Sequence, residues 1–111
     1  MAEVPVEVDV LALKQRRDGG EQLLVLDVRN PDEHATAHIE GSTLLPLSEL
    51  QARLGELESH KNAPIVVHCH HGGRSLRATM FLRQQGFTQV QNLTGGIDAW
   101  SQQVDASVPR Y

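Results

Sequence analysis

The stretch HCHHGGRS, His68 to Ser75, holds the one cysteine of a 111-residue chain, set between histidines and closed by two glycines, an arginine and a serine. Cysteine attacks as the thiolate, and it ionises below its free value of ~8.5 where amide N–H groups, a helix N-terminus or a cation converge on the sulfur. Gly72 and Gly73 let the backbone take conformations closed to other residues, so successive amides from His70 to Ser75 can turn toward one point as a nest around Cys69. A helix opening at Arg74 and Ser75 aims its positive end at the same place. Arg74 adds a permanent charge on a planar fork suited to an oxyanion. The same donors would hold an anionic group carried on the sulfur.

Two other readings stay open on residue types alone. A strand-to-helix turn can contain a cysteine that is only a small buried hydrophobe, with Ser75 as a cap. Alternatively His68, Cys69, His70 and His71, with His34 and His38, offer metal-ligand types. Adjacent ligands in one tight stretch rarely converge on a single ion, and the paired Cys/His spacings of zinc modules are absent, so neither metal nor cofactor is expected.

The elements that position this stretch follow from short apolar runs alternating with helical patterns. Val6–Val8 reads as a strand, and Asp9 caps a helix through Arg17 that Gly19 and Gly20 stop. Leu23–Leu26, apolar at every position, has the pattern of a strand buried on both faces of a parallel sheet. It runs into Asp27, Val28 and Arg29; Asn30, Pro31 and Glu33 then give a helix start. Thr43–Leu45 reads as a strand, Ser48 as the cap of a helix through Leu54, and Pro64–His68 as a strand. Ser75–Gln85 has helical spacing with Gly86 as its stop, Val90–Leu93 is a strand, Gly95 and Gly96 a turn, and Ile97–Gln102 a helix. Strand and helix alternate throughout, which predicts an α/β fold with a mainly parallel five-stranded sheet and helices on both faces. Sites in such folds form at the carboxyl ends of strands, where Asp27–Glu33 and His68–Ser75 fall.

Length and composition fit a single domain over residues 1–111, one that buries roughly 65% of its unfolded surface. A hydrophobic share of 40% is ordinary for a globular protein, and no run approaches the ~20 apolar residues of a membrane helix, so no membrane association is expected. The formal charge of -4 argues against nucleic acid as a partner, which needs a basic face. The opening MAEVPVEVDV lacks the features of an export signal, and a lone cysteine cannot form an internal disulfide. Both lead to the expectation of a cytoplasmic location.

Three segments, in order, resemble the rhodaneses, or thiosulfate sulfurtransferases: LDVRNPDEHATAHIEGS from Leu26, VVHCHHGGRS from Val66 and NLTGGIDAW from Asn92. The likeness spans nearly the whole chain, with a single domain. It implies a rhodanese-like sheet-and-helix fold and a catalytic Cys69 that carries a persulfide between two half-reactions. Cys69 would take sulfur from a donor such as thiosulfate, expelling sulfite, and pass it to cyanide or a thiol. His70, His71, Gly72, Gly73, Arg74 and Ser75 would form the substrate-binding loop, with Arg74 drawing the donor's sulfonate. Asp27 and Arg29 would support that loop or form a purely structural ion pair. His70 and His71, with an ordinary pKa near ~6.5, would tune the rim or face solvent. Cys69 to Arg74 spans six residues, the sulfurtransferase length; the related phosphatases have a longer loop. Glu40 and Ser42 depart from the family's frequent proline and alanine. Beside the enzyme stand a relay module that exchanges sulfur with a protein partner, and a silent binding domain.

Overall fold

The computed structural model describes residues 4–111, and its five strands form one all-parallel sheet in the order β1-β5-β4-β2-β3. The strands are β1 (Glu7–Val8), β2 (Leu24–Asp27), β3 (Thr43–Leu44), β4 (Ile65–His68) and β5 (Val90–Leu93); the helices are α1 (Val10–Asp18), α2 (Pro31–Thr36), α3 (Gly73–Gln84) and α4 (Gly96–Gln103). None of the described helices is long and apolar enough to cross a membrane.

The two-residue period of a strand divides the core between the two faces of the sheet. Leu26, Ile65 and Val67 point to one side, where Ala78 and Leu82 of α3 cover them with Leu50, Leu57 and Phe87. Val25 and Val66 point to the other, against Val10 and Leu13 of α1 and Ile97 and Trp100 of α4. β4 lies at the centre with β2 and β5 as neighbours, so the chain leaving its carboxyl end is flanked by the loops that follow both.

Capping follows the sequence closely. Asp9 accepts the Ala12 amide at 2.7 Å to open α1. Glu33 reaches back to the Asn30 amide at 3.1 Å at the start of α2. Three expectations need correction. No α-helix runs from Ser48 to Leu54; Leu47–Glu49 and Leu54–His60 are 3-10 segments. Leu47 with Leu50, and Leu54 with Leu57, are three apart, and three residues per turn brings such pairs onto one edge. α3 begins at Gly73 rather than at Ser75, which lies inside its first turn and is wholly buried. β1 and β3 are also shorter than the apolar runs that announced them.

The end of β2 carries the most costly feature of the fold. Asp27 and Arg29 are both fully buried. The guanidinium grips the carboxylate through Nε at 2.9 Å and Nη2 at 2.7 Å, and the Arg29 amide adds a third bond at 3.0 Å. Its remaining donors reach the Ala37 carbonyl at 2.7 Å, the Glu33 carbonyl at 3.3 Å and the Tyr111 hydroxyl at 2.7 Å. His34 Nδ1 completes the set on Asp27 at 2.8 Å. Burial pushes the Asp27 carboxyl up, but Arg29, with His68 and His34, outweighs it and holds the group at about 2. His68, paired in register with Asp27 and fully buried, is pushed down by that burial to about 4 and is neutral at pH 7.

Two measurements check these groups. Asp27→Ala leaves a buried guanidinium without its counter-charge, and urea unfolding should show a loss of about 3–5 kcal/mol; a loss under ~1 kcal/mol refutes the ion pair's structural role. The unfolded chain protonates His68 near ~6.5 and the native chain near 4, so this contribution is intact above pH 6.5 and lost as pH falls toward 4. Its full size is about 3 kcal/mol. His68→Leu, with no proton to take up, should flatten that limb of the stability profile; an unchanged limb assigns it to other groups.

Candidate active site

Cys69 follows directly on β4 and is 2% exposed. Its sulfur receives the Gly72 amide at 3.1 Å and the Ser75 amide at 3.4 Å, with the Ser75 hydroxyl also at 3.4 Å. Gly72 sits at φ +129°, a conformation side chains rarely adopt, and this turns its amide back toward the sulfur. Gly73 is different: a Cβ there would meet nothing within 4 Å. Burial pushes the Cys69 thiol up, while the Ser75 hydroxyl and the Ser75, Gly72 and Arg74 amides outweigh it and leave the thiol below its ordinary value.

The other side of the loop is fixed by α4. The Ile97 amide donates to the Cys69 carbonyl at 2.9 Å and the Asp98 amide to the His70 carbonyl at 3.1 Å. Gly96 makes this approach possible, because a Cβ there would stand 2.5 Å from the Cys69 carbonyl oxygen and 2.6 Å from that of His70. Gly95 and Gly96, read in the sequence as a turn, thus open the helix that clamps the loop. With its carbonyls held by α4, the loop keeps its amides on the sulfur.

Arg74 is not the free cation that the sequence suggests. Glu33 of α2 binds it at both ends, 2.6 Å to Nη1 and 2.8 Å to Nη2. Arg74 in turn holds the Glu33 carboxyl down at about 2. The guanidinium stays protonated, with a carboxylate set against its charge. Glu33 also accepts from the Tyr111 hydroxyl at 2.9 Å.

His70 is half-buried between two rings, with His71 stacked on one face and Tyr111 on the other, each at 4.0 Å. Burial, then the neighbouring His71, holds His70 below its usual range. His71 is exposed at the rim, 3.9 Å from Asp98. Among the described residues, the one cluster of three metal-ligand types is His70, His71 and Asp98, whose atoms lie within 4.8 Å of one another. Asp98 is already taken by Arg110 at 3.0 Å and Gln102 at 2.8 Å. His68, His34 and His38 do not join them: His34 stacks on His38 and bonds Asp27.

Asp27 and Arg29 support the loop only indirectly, since Arg29 holds α2, the helix that presents Glu33 to Arg74. The sequence reading missed Glu33, Tyr111, Asn92 and Glu7. Asn92 lies in the NLTGGIDAW segment and Glu33 in the capping signal, so both were in view with other roles. Nothing in the sequence marks Tyr111 or Glu7 as neighbours of the loop.

Comparison with known proteins gives the family. Residues 9–103 match the rhodanese-like domain. A putative sulfur carrier protein of Bacillus subtilis, YrkF, is 39% identical over 95 residues, covering 86% of this chain and 50% of its own length. A sulfurtransferase of Allochromatium vinosum is 38% identical over 95 residues, 86% of this chain and 87% of that protein. The chain thus spans half of one relative and most of the other. The human single-domain sulfurtransferase TSTD1 superposes with a TM-score of 0.81 at 25% identity, over 90% of this chain and 98% of that one. Sequence and architecture agree over the same stretch, and the chain belongs to the rhodanese-like domain family of sulfurtransferases and sulfur carriers.

Proposed function

We propose that this chain is a sulfurtransferase in which Cys69 is the catalytic nucleophile and moves a sulfane sulfur from thiosulfate, or a similar donor, to a thiophilic acceptor. The observation that supports the reading most is the convergence of the Gly72, Arg74 and Ser75 groups on one buried sulfur. The Cys69 thiolate attacks the outer sulfur of thiosulfate, the S–S bond of the donor breaks, and its electron pair leaves with sulfite. The resulting Cys69 persulfide anion gives its outer sulfur to cyanide, forming thiocyanate, or to a thiolate, forming a new persulfide, and the Cys69 thiolate returns. Amides already aimed at the sulfur stabilise each anion without rearranging. His70, His71, Gly72, Gly73, Arg74 and Ser75 form the donor-binding rim in this reading.

A relay that takes sulfur from a protein persulfide rests on a separate observation. Glu33 offsets the charge of Arg74, which weakens the attraction of a small free dianion. The names of relatives agree with this second reading: a sulfur carrier in Bacillus subtilis, and an adenylyltransferase and sulfurtransferase, MOCS3-1, in Zea mays. In a third reading the domain only binds and no sulfur is transferred.

Incubation with thiosulfate should add one sulfur to the intact mass, and Cys69→Ser should abolish the addition. No added sulfur with thiosulfate but loading from a protein persulfide selects the relay; none from either excludes both catalytic readings. Glu33→Gln removes the counter-charge of Arg74 and leaves one side-chain oxygen to accept where the carboxylate offers two. The KM for thiosulfate should then fall about threefold to tenfold, while Arg74→Ala raises it. A KM that ignores both substitutions removes Arg74 from donor binding.

A further inference from the structure

Behind Cys69 a chain of polar side chains runs on from Ser75 to Asn92 and Glu7, two residues that have no part in the transfer reaction described above. Ser75, fully buried, has one hydroxyl proton and three acceptors within reach. They are Cys69 Sγ at 3.4 Å, the Gly72 carbonyl at 3.2 Å and Asn92 Oδ1 at 2.5 Å. Asn92, 3% exposed on β5, cannot turn its oxygen elsewhere. Its Nδ2 faces both carboxylate oxygens of Glu7, at 3.0 and 3.1 Å, and a carboxylate only accepts. Thr94 donates to the same carboxylate at 2.7 Å and helps to fix it. The line therefore runs from exposed Glu7 on β1 through Asn92 and Ser75 to the sulfur.

We propose that Asn92 is a positioning residue that draws the Ser75 hydroxyl proton away from Cys69 and so restrains ionisation of the resting thiol. The proposal rests on the reading of Cys69 as the sulfur-carrying nucleophile. With its proton on Asn92 Oδ1, Ser75 offers the sulfur a lone pair, which suits a thiol S–H and opposes a thiolate. When the thiolate or the persulfide forms, the hydroxyl turns to the sulfur and gives up its bond to Asn92. Ser75 is then a two-position donor, and Asn92 sets the balance between the positions.

Other charged groups face this region. Arg74 of α3 pairs with Glu33 of α2, and His68 ends β4 beside Asp27 and Arg29 of the β2 end. His70 and His71 rim the loop with Asp98 of α4, under Tyr111. A change at Asn92, which is uncharged, leaves the charge of each as it is.

The test is the rate of alkylation of Cys69 by iodoacetamide across pH, with no sulfur donor present; with one cysteine in the chain, the label has a single target. Asn92→Ala should lower the midpoint by about 0.5–1 pH unit, the worth of one hydrogen bond returned to the thiolate. Ser75→Ala should raise it, and the double variant should match Ser75→Ala. A midpoint that stays or rises in Asn92→Ala, or a lowering that persists in the double variant, overturns the proposal. Should circular dichroism show Asn92→Ala unfolded, Glu7→Gln at the surface takes its place. It should lower the midpoint in the native background and leave it unchanged in Ser75→Ala. A shift surviving there is the Glu7 charge acting through space, and it overturns the proposal for Asn92. Sulfur loading is read separately by mass, so a chain that never loads sulfur but shows these shifts loses the transferase reading and keeps the role of Asn92.

Discussion

The buried pair of Asp27 and Arg29 is the constraint from which the architecture around the sulfur follows. Two full charges are removed from water at the carboxyl end of β2, and such burial is tolerable only when nearly every donor and acceptor is matched. Arg29 meets that demand by binding outward as well as inward: to Asp27, to the Glu33 and Ala37 carbonyls at the end of α2, and to Tyr111. A six-residue helix with no buried side chain of its own is thereby fixed in place. Glu33, carried on that helix, can then meet Arg74 of α3 in two-point geometry. The ion pair stands away from the chemistry yet decides where a charge beside the loop can be.

The sulfur itself depends on the parallel sheet. A central strand flanked by β2 and β5 delivers its following loop into the space between two others, and each neighbour contributes something different. β2 leads to α2 and the carboxylate that pairs with Arg74. β5 supplies Asn92 and leads into Gly96 and α4, which hold the loop's carbonyls. α3, starting at Gly73, brings its first amides to the sulfur from the other side. Three helices and three strands thus converge on one loop, and the groups that reach its sulfur are mostly main-chain amides.

Much of this was legible in the sequence, because the signals are local. The apolar run Leu23–Leu26 marked a central strand and Pro64–His68 a second strand, Asp9 and Asn30 marked helix starts, and Gly72 with Gly73 announced a backbone turned on the thiol. Illegible features were those whose meaning depends on a distant partner. Arg74 looks like a free cation until Glu33, 41 residues earlier, is brought against it. Glu7 and Asn92 are 85 residues apart and meet only because β1 pairs with β5. The segment from Ser48 to Leu54 misled for another reason: a short apolar pattern suits one turn of either helix type, and propensity alone does not choose between them.

The missing side chain of Gly96 has a wider effect than the room it makes. By letting α4 seize two consecutive carbonyls, it fixes the orientation of the peptide planes around Cys69. The field that favours negative sulfur is then a permanent property of the backbone, with little reorganisation left when charge forms there. Side chains at the rim, His70, His71 and Arg74 among them, can therefore vary while the anion preference beneath them persists.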